Sequence, residues 1–407
     1  MLVIYATPFF TQNTMSLVEA FAHLDGIRLA VISQEPQEVL PLELRSRFAG
    51  HWRVHDALSY EQICWAISEL SKRLGRPERL IAANEQIQLP LAMARDHFGI
   101  EGNSAEVVRN FRDKGRMKDL FLEAGVPCAR HCRACSADDA WSFVQEVGFP
   151  ICVKPVDGAA AQSTYRVESS RALRELLTSR PATEEAPLQL EEFLVGQENS
   201  FESVTIGGVS VWHSWTRYHP TPLDVMRNPW IQWRIVLPRE VDDPEWDEIR
   251  EVGPRALKAL GMGTGLSHME WFRRADGRLA IGEVGARPPG AQITTMMNRA
   301  HDMDIDTAWA RLMVFGKFTP PKARKYAVGN AFLRGLGGSR VKGVQGLQKV
   351  FAELGDAITD YRIPQPGTPA AITYEGEGFI IVRHPDTAEV ERMLEFIINN
   401  VRVELVV

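Results

Sequence analysis

Three charged side chains stand out because each interrupts an apolar run that is typical of a buried strand. Lys154 lies near the end of FPICVKP, where a lysine is costly to bury without an anionic partner. Glu270 and Glu283 interrupt LSHMEWF and RLAIGEVG, and the Asp276-Gly277 turn between these runs predicts a hairpin. Facing carboxylates repel unless a cation such as Mg²⁺ lies between them. Glutamates on an exposed face are the alternative.

A second group of residues has the properties needed to hold phosphates. Lys114 and Lys154 supply two cations, and the small-residue run 157–164 (DGAAAQST) follows the second with backbone N–H groups. Together with the paired glutamates, these features predict a nucleoside triphosphate site. Arg287, four residues after Glu283, adds a planar guanidinium for charge that develops during transfer.

The segment LEEFLVGQE is predicted to face the nucleoside. Glu191, together with the backbone near Phe193 and Leu194, is expected beside adenine, and we include Glu192 in this group. Glu198 is expected to accept hydrogen bonds from the ribose hydroxyls.

The elements that must position these residues begin with a parallel sheet. Residues 1–103 alternate the strands LVIYAT, IRLAVIS and RLIAANE with helical stretches, which predicts βαβ units. Next, the pattern predicts one helix over 104–125, strand-like residues over 200–215 and a long helical stretch over 291–315. Residues 218–229 (YHPTPLDVMRNP) are expected to form a long irregular loop.

Composition excludes several classes of protein. The 407 residues carry a formal charge of −6, which argues against a general nucleic-acid binder. No apolar run reaches the ~18 residues that span a bilayer, and the first residues lack a signal peptide's charged region. Five cysteines are too few for a disulfide framework, so we expect a cytoplasmic protein with no membrane partner.

The ordered set FRDKGRMKDLFLEAGVP, EVGFPICVKP, LEEFLVGQE, HMEWFRRADGRLAIGEVGARPPG and SRVKGVQG resembles the ATP-grasp superfamily. The resemblance implies an α/β and α+β multidomain chain in three parts. These are a parallel α/β domain over 1–103, an ATP-grasp domain over 104–320 with a small lid subdomain at about 127–195, and a C-terminal α+β lid domain over 321–407.

By this resemblance, Lys114 and Lys154 bind ATP phosphates, together with Ser163 of the small-residue loop. Glu270 and Glu283 bind Mg²⁺ or Mn²⁺, with two ions expected. The remaining assignments are catalysis by Arg287 and contact with ATP by Glu191, Glu192, Phe193, Leu194 and Glu198.

Two positions depart from the family pattern. Gly285 stands where many members carry a further metal-binding Asn, and Ala159, Ala160 and Ala161 replace glycines of the phosphate loop. Neither departure removes a charged group of the predicted site, so we expect an active enzyme.

Other residues are candidates for the substrate. His268 shares a strand face with Glu270, which predicts either a packed, hydrogen-bonded histidine or a role near the metal or the incoming amine. Arginines are candidates for gripping a substrate carboxylate; they are Arg217, Arg227, Arg234 and Arg334.

The array Cys128, Cys132 and Cys135 matches the spacing of a radical-type iron–sulfur ligand set, and His131 would complete a zinc site. Because the array lies inside the ATP-grasp match, where an ordinary strand is expected, we predict that it holds no metal.

The E-x-x-x-R-P-P-G form and the R-V-x-x-V-x-G segment resemble amino-acid (dipeptide-forming) ligases. The predicted activity is amide bond formation through an acyl phosphate, with ATP, a small carboxylate and a small amine as partners. A purine-biosynthesis or biotin-carboxylase-like ligase and a non-catalytic ATP sensor are the alternatives. A homodimer is left open as the assembly.

Overall fold

The computed structural model describes residues 1–155, 164–228 and 231–406. Strands and helices alternate at the N-terminus in the order β1 (Leu2–Thr7), α1 (Gln12–Ala22), β2 (Arg28–Ser33), α2 (Leu42–Arg45), β3 (Phe48–Arg53), α3 (Tyr60–Leu74), β4 (Arg79–Ile81) and α4 (Gln88–Phe98). The strands pair in parallel in the order β3-β2-β1-β4, which confirms the predicted α/β region.

Strand β4 is shorter than the sequence predicts. It ends at Ile81 rather than at Glu85, so Glu85 lies in the loop that follows the strand. The carboxyl edge of a parallel sheet is the usual position of ligand-binding loops. The shortened strand therefore places Glu85 at that edge.

The single helix predicted over 104–125 is wrong, because the chain forms α5 (Ala105–Arg112) and α6 (Lys114–Glu123). Asp113 between them has an extended backbone, and its carboxylate accepts a hydrogen bond from the N–H of Arg116 at 3.0 Å. An aspartate that caps a new helix in this way ends the preceding one. The break makes Lys114 the first residue of α6.

A small antiparallel sheet follows α6. Its elements are β5 (His131–Ala134), α7 (Ala137–Val147), β6 (Ile151–Pro155), β7 (Tyr165–Val167), α8 (Ser170–Ser179) and β8 (Leu188–Glu192). The strand order is β5-β8-β6-β7, and both helices supply apolar side chains to its core. Residues 157–163 of the predicted phosphate loop, including Ser163, lie outside the described residues.

A larger sheet begins at residue 196. The elements up to residue 315 are β9 (Gly196–Ile206), β10 (Val209–His219), α9 (Pro222–Arg227), β11 (Arg234–Leu237), α10 (Asp247–Ala259), β12 (Gly265–Arg274), β13 (Leu279–Gly285), α11 (Ile293–His301) and α12 (Ile305–Phe315).

The C-terminal elements are β14 (Ala327–Leu333), β15 (Gly335–Leu336), β16 (Arg340–Gln345), α13 (Leu347–Leu354), β17 (Ile358–Arg362), β18 (Gly378–His384), α14 (Thr387–Asn400) and β19 (Arg402–Val406). Strands β14, β17 and β18 extend the large sheet to the order β13-β12-β9-β10-β11-β14-β18-β17. The sheet thus runs through the predicted domain boundary at 320. Only β15, β19 and β16 form a separate small sheet.

Three further predictions are corrected by local turns. The strand-like stretch 200–215 is the β9–β10 hairpin, which reverses at Gly207 and Gly208 with φ of 56° and 84°, as a two-residue turn requires. The helical stretch 291–315 breaks at Asp302, which is left-handed, before α12 begins. The predicted loop 218–229 contains the end of β10 and helix α9, which Thr221 caps.

The N-terminal region packs directly on the region that carries the large sheet. Phe21 of α1 makes an edge-to-face contact with Trp309 of α12, with ring centroids 5.5 Å apart. Both rings belong to one buried apolar cluster that also contains Tyr5 and Leu266. Burial of this cluster fixes α1 beside α12. Among the described residues, no helix is both long and apolar enough to cross a membrane.

Candidate active site

The two glutamates predicted as metal ligands face each other. Strands β12 and β13 pair so that Glu270 is directly opposite Glu283, as expected, with a register shift between Glu270 and Trp271. Burial, and then the charge of Glu283, raise the pKa of Glu270. Burial also opposes ionisation of Glu283, but Lys114 and Lys154 outweigh it and lower the pKa of Glu283 to about 2. The pair therefore contains one stably charged carboxylate and one that lacks a strong cationic partner.

The two predicted phosphate-binding lysines approach this pair from different elements. Lys114, the first residue of α6, places its Nζ 2.9 Å from an oxygen of Glu283. Lys154 of β6 places its Nζ 2.9 Å from Glu191 of the neighbouring strand β8. Although burial opposes the charge of Lys154, Glu191 raises its pKa. Both ammonium groups are thus held against carboxylates on the cavity wall.

A third lysine, Lys118, also contacts this group of charges, and the sequence analysis assigned it no role. Its side chain is 1% exposed, and its Nζ donates to the carbonyl oxygen of Gly282 at 2.8 Å. The same Nζ lies 3.6 Å from Glu191. Burial raises the pKa of Glu191, but Lys118 and Lys154 outweigh this and lower it. The only available signal was the one-turn spacing between Lys114 and Lys118.

Arg287 is held by a residue from the N-terminal region. Its Nε lies 2.7 Å from Glu85, and its Nη1 donates to the carbonyl oxygen of Pro288 at 2.9 Å. Arg112 of α5 also pairs with Glu85. Burial opposes the charge of Arg287, but Glu85 outweighs it and raises its pKa. The guanidinium is therefore fixed and permanently charged at the edge of the site.

Gly285 lies beneath Arg287. A Cβ at Gly285 would be 3.5 Å from the Cγ of Arg287, which is ordinary van der Waals contact. On the adjacent strand, Gly285 is opposite His268. Gly285, the position predicted to correspond to a metal-binding Asn, is thus covered by the aliphatic part of the Arg287 side chain.

His268 is held by a buried carboxylate. Its Nδ1 lies 2.9 Å from Glu202 of β9, whose side chain is 0% exposed, and its Nε2 lies 3.9 Å from Glu270. Strand register explains this placement, because His268 is directly opposite Glu202 in the sheet. The histidine is thus packed and hydrogen-bonded, and it also lines the cavity beside Glu270, while a role near the metal or the incoming amine stays a prediction.

These groups line one cavity of about 800 Å³ between the small sheet, the large sheet and the N-terminal region. Phe193, Leu194 and Glu198, the residues predicted to face the nucleoside, line this cavity together with Phe272 of β12. The guanidinium of Arg166 lies 4.3 Å from the centroid of the Phe193 ring. Burial, and then the charge of Glu270, raise the pKa of Glu198.

Glu192 also borders the cavity, but its carboxylate is engaged elsewhere. Arg130 lies 3.2 Å from it and Arg274 lies 3.3 Å from it. Glu192 is next to Glu191 in a strand, so the two side chains point to opposite faces. Glu191 faces the lysines, and Glu192 fastens the small sheet to the hairpin of the large sheet.

The four arginines predicted to grip a substrate do not line the cavity. Their partners are Glu391 for Arg217, Glu168 for Arg227, Glu395 for Arg234 and the carbonyl oxygen of Ile231 for Arg334. The physical reason is strand geometry and local folding. Strands β10 and β11 direct Arg217 and Arg234 towards α14, and Arg227 is the last residue of α9. Arg287 and Arg166 are the arginines that line the cavity.

The cysteine array occupies ordinary structural positions. Cys128 forms an isolated bridge with Ile281, Cys132 lies in β5, and Cys135 follows that strand. Among the described residues, no group of three or more His, Cys, Asp or Glu side chains has metal-binding geometry. Glu270 and Glu283 provide two carboxylates and therefore do not form such a group of three by themselves.

Two facing carboxylates fit a Mg²⁺ ion that is shared with a nucleotide. Mg²⁺ is usually held in proteins by one or two carboxylates, with waters and substrate phosphates as the other ligands. The repulsion that raises the pKa of Glu270 would be relieved by a cation between Glu270 and Glu283. The residues present therefore fit a metal that arrives with a phosphate.

One region of the chain matches a known domain family. Residues 119–300 match the ATP-grasp domain family. The chain therefore carries an ATP-grasp domain, as the sequence motifs indicate.

The relatives include amino-acid ligases. The chain is 23% identical over 286 residues to an L-arginine-specific L-amino acid ligase of Bacillus subtilis, covering 69% of this chain and 67% of the relative. It is 23% identical over 278 residues to the alanine–anticapsin ligase of Bacillus subtilis (strain 168), covering 63% of this chain and 58% of the relative.

Solved structures share the whole architecture. An L-amino acid ligase from Bacillus licheniformis superposes with a TM-score of 0.79 at 15% identity, covering 99% of this chain and 98% of that one. A carboxyaminoimidazole ribonucleotide synthase from Aspergillus clavatus, complexed with ATP, gives 0.72 at 16% identity, covering 98% and 97%. At these identities the likeness establishes the fold.

Proposed function

We propose that this chain is an ATP-dependent carboxylate–amine ligase that acts on amino-acid-like substrates. The observation that carries the proposal is the convergence of Glu270, Glu283, Lys114, Lys154 and Arg287 on one cavity. Carboxylates for Mg²⁺, cations for phosphates and a fixed guanidinium are together the equipment of phosphoryl transfer. The names of the relatives support amide bond formation as the overall reaction.

In the proposed reaction, an oxygen of the substrate carboxylate attacks the γ-phosphorus of ATP. The bond from that phosphorus to the β,γ-bridging oxygen breaks, so ADP leaves and an acyl phosphate forms. The nitrogen of the second substrate then attacks the acyl carbon and loses a proton, and phosphate departs with the electrons of the C–O bond. The products are an amide, ADP and phosphate.

The residues divide this work between binding and catalysis. Lys114 and Lys154 neutralise phosphate oxygens, and Phe193 and Leu194 border the adenine with Glu191 close by. Glu270 and Glu283 would hold Mg²⁺, which when bound supplies positive charge to the phosphates. Arg287, fixed by Glu85, stabilises negative charge on the transferring group and on the tetrahedral carbon. Glu198 is retained as the ribose partner.

The choice among ATP-grasp reactions can be made in one experiment. Purified protein is incubated with ATP, Mg²⁺ and pools of amino acids, and both ADP release and product masses are measured. We expect ADP formation that requires a carboxylate and an amine together, with a dipeptide mass. ADP formation that requires bicarbonate and an aminoimidazole ribonucleotide would support the purine-type alternative, which the structural neighbours make the main competitor. Tight ATP binding without turnover would support a sensor.

A further inference from the structure

The end of the cavity nearest α1 has a chemical character that the nucleotide does not explain. Its wall is formed by uncharged polar side chains from α1 and from the loop after β4, including Asn13, Ser16, Asn84 and Gln86. Asp306, the second residue of α12, completes the wall. We call this part of the cavity the α1 end.

The α1 end is built across the junction of two regions. The hydroxyl of Ser16 donates to Oδ2 of Asp306 at 2.6 Å, and the Nε2 of Gln292 donates to Oδ1 of Asn13 at 3.4 Å. The aromatic contact between α1 and α12 holds the two sides in place. The wall is therefore a formed surface rather than a set of separate side chains.

Asp306 has no Lys, Arg or His within ion-pair distance among the described residues. Its carboxylate accepts a hydrogen bond from the Ser16 hydroxyl. Burial raises the pKa of the Asp306 carboxyl, and the hydroxyl only partly opposes this. Nearby Glu85, by contrast, is already bonded to Arg112 and Arg287. A positive group bound at the α1 end would thus meet an ionisable carboxylate that is not yet neutralised.

Glu198 and Asp224 are also lining carboxylates without an ion pair among the described residues, but both are accounted for by the proposed nucleotide site. Asp224 lies close enough to Glu198 to affect its pKa, and Glu198 is the predicted ribose partner. Asp306 therefore remains as the carboxylate for a substrate group.

We propose that the α1 end selects a substrate with a positively charged side chain, an ammonium or guanidinium group, and that Asp306 determines this specificity. The inference rests on the proposed ligase function and names its substrate class. The side-chain oxygens of Ser16, Asn13, Asn84 and Gln86 supply further acceptors for the N–H groups of such a side chain. A substrate with an acidic side chain would be repelled by Asp306.

The test compares L-arginine with L-citrulline, which has the same shape and no charge. Binding is measured by calorimetry in the presence of Mg²⁺ and a non-hydrolysable ATP analogue, so that no turnover is needed. A charged hydrogen bond typically contributes ~1.5–3 kcal/mol, so wild type should bind arginine at least about tenfold more tightly. Asp306→Asn keeps an acceptor for Ser16, and it should remove that preference and leave citrulline within about twofold.

Asp25→Asn removes the same charge from an exposed site and is the matched control, with no change expected. Equal affinities in wild type, or no binding of either amino acid, would overturn the inference. If Asp306→Asn weakened both amino acids equally, Asp306 would contact the shared α-ammonium, which also overturns it. An arginine preference that persists without ADP release from any substrate pair would instead refute the proposed ligase function.

Discussion

Glu270→Gln and Glu283→Gln look equivalent in the sequence, but the structure predicts opposite effects on the stability of the metal-free protein. Glu283 is ion-paired with Lys114 and its pKa falls from 4.5 to about 2, which corresponds to about 3 kcal/mol of stabilisation at pH 7. Glu283→Gln removes this stabilisation and leaves Lys114 and Lys154 with one carboxylate fewer nearby. Glu270→Gln removes a carboxylate whose ionisation burial and Glu283 oppose, so it should leave stability unchanged or higher.

The sign of the pH dependence follows from the same shift. A carboxylate with a depressed pKa in the folded state contributes its stabilisation fully above pH 4.5 and loses it as the pH falls towards 2. The difference in the free energy of unfolding between wild type and Glu283→Gln should therefore be constant from pH 6 to 8. It should become smaller below about pH 4.5.

The measurement is the urea midpoint, followed by tryptophan fluorescence, in EDTA without nucleotide. A second measurement records the rise in melting temperature on adding Mg²⁺ with an ATP analogue. Both variants should lose the Mg²⁺-dependent part of that rise and most ADP formation. Equal destabilisation of the two metal-free variants would refute the reasoning from the lysine contacts, and a full Mg²⁺ response in either would refute the metal assignment.

Three other predictions separate binding, catalysis and packing. Arg287→Ala should lower kcat by ~10²–10³ while ATP affinity, measured by calorimetry, stays near wild type; Lys154→Ala should do the reverse. Arg287→Lys keeps the charge without the planar fork and should recover little, and loss of ATP affinity with kcat retained would contradict this role. Glu85→Gln should reduce kcat more than it reduces ATP affinity, because Glu85 orients the guanidinium of Arg287; an unchanged kcat would show that the contact is dispensable. Cys132→Ser should keep full activity, and elemental analysis of wild type should find no stoichiometric iron or zinc; one metal per chain that disappears in the variant would overturn that expectation.

The sequence by itself determined the residues whose burial demands a partner. Lys154, Glu270 and Glu283 each interrupt an apolar strand, and the Asp276-Gly277 turn signal predicts the hairpin. Local patterning was enough for these features because strands alternate with a period of two and a turn signal lies between the two runs. The pairing of Glu270 with Glu283 also depends on a register shift between Glu270 and Trp271, which the local pattern does not encode. The parallel N-terminal sheet followed from the same kind of local signal.

Tertiary structure alone decided which charges meet across long separations in the chain. Glu85 contacts Arg287 at a separation of 202 residues, and Ser16 contacts Asp306 at a separation of 290. No local pattern encodes such contacts, because they depend on how α1 packs against α12 and on where β4 ends. For the same reason the predicted substrate arginines lie outside the cavity. A surface arginine and a site arginine have the same sequence signature, and only packing distinguishes them.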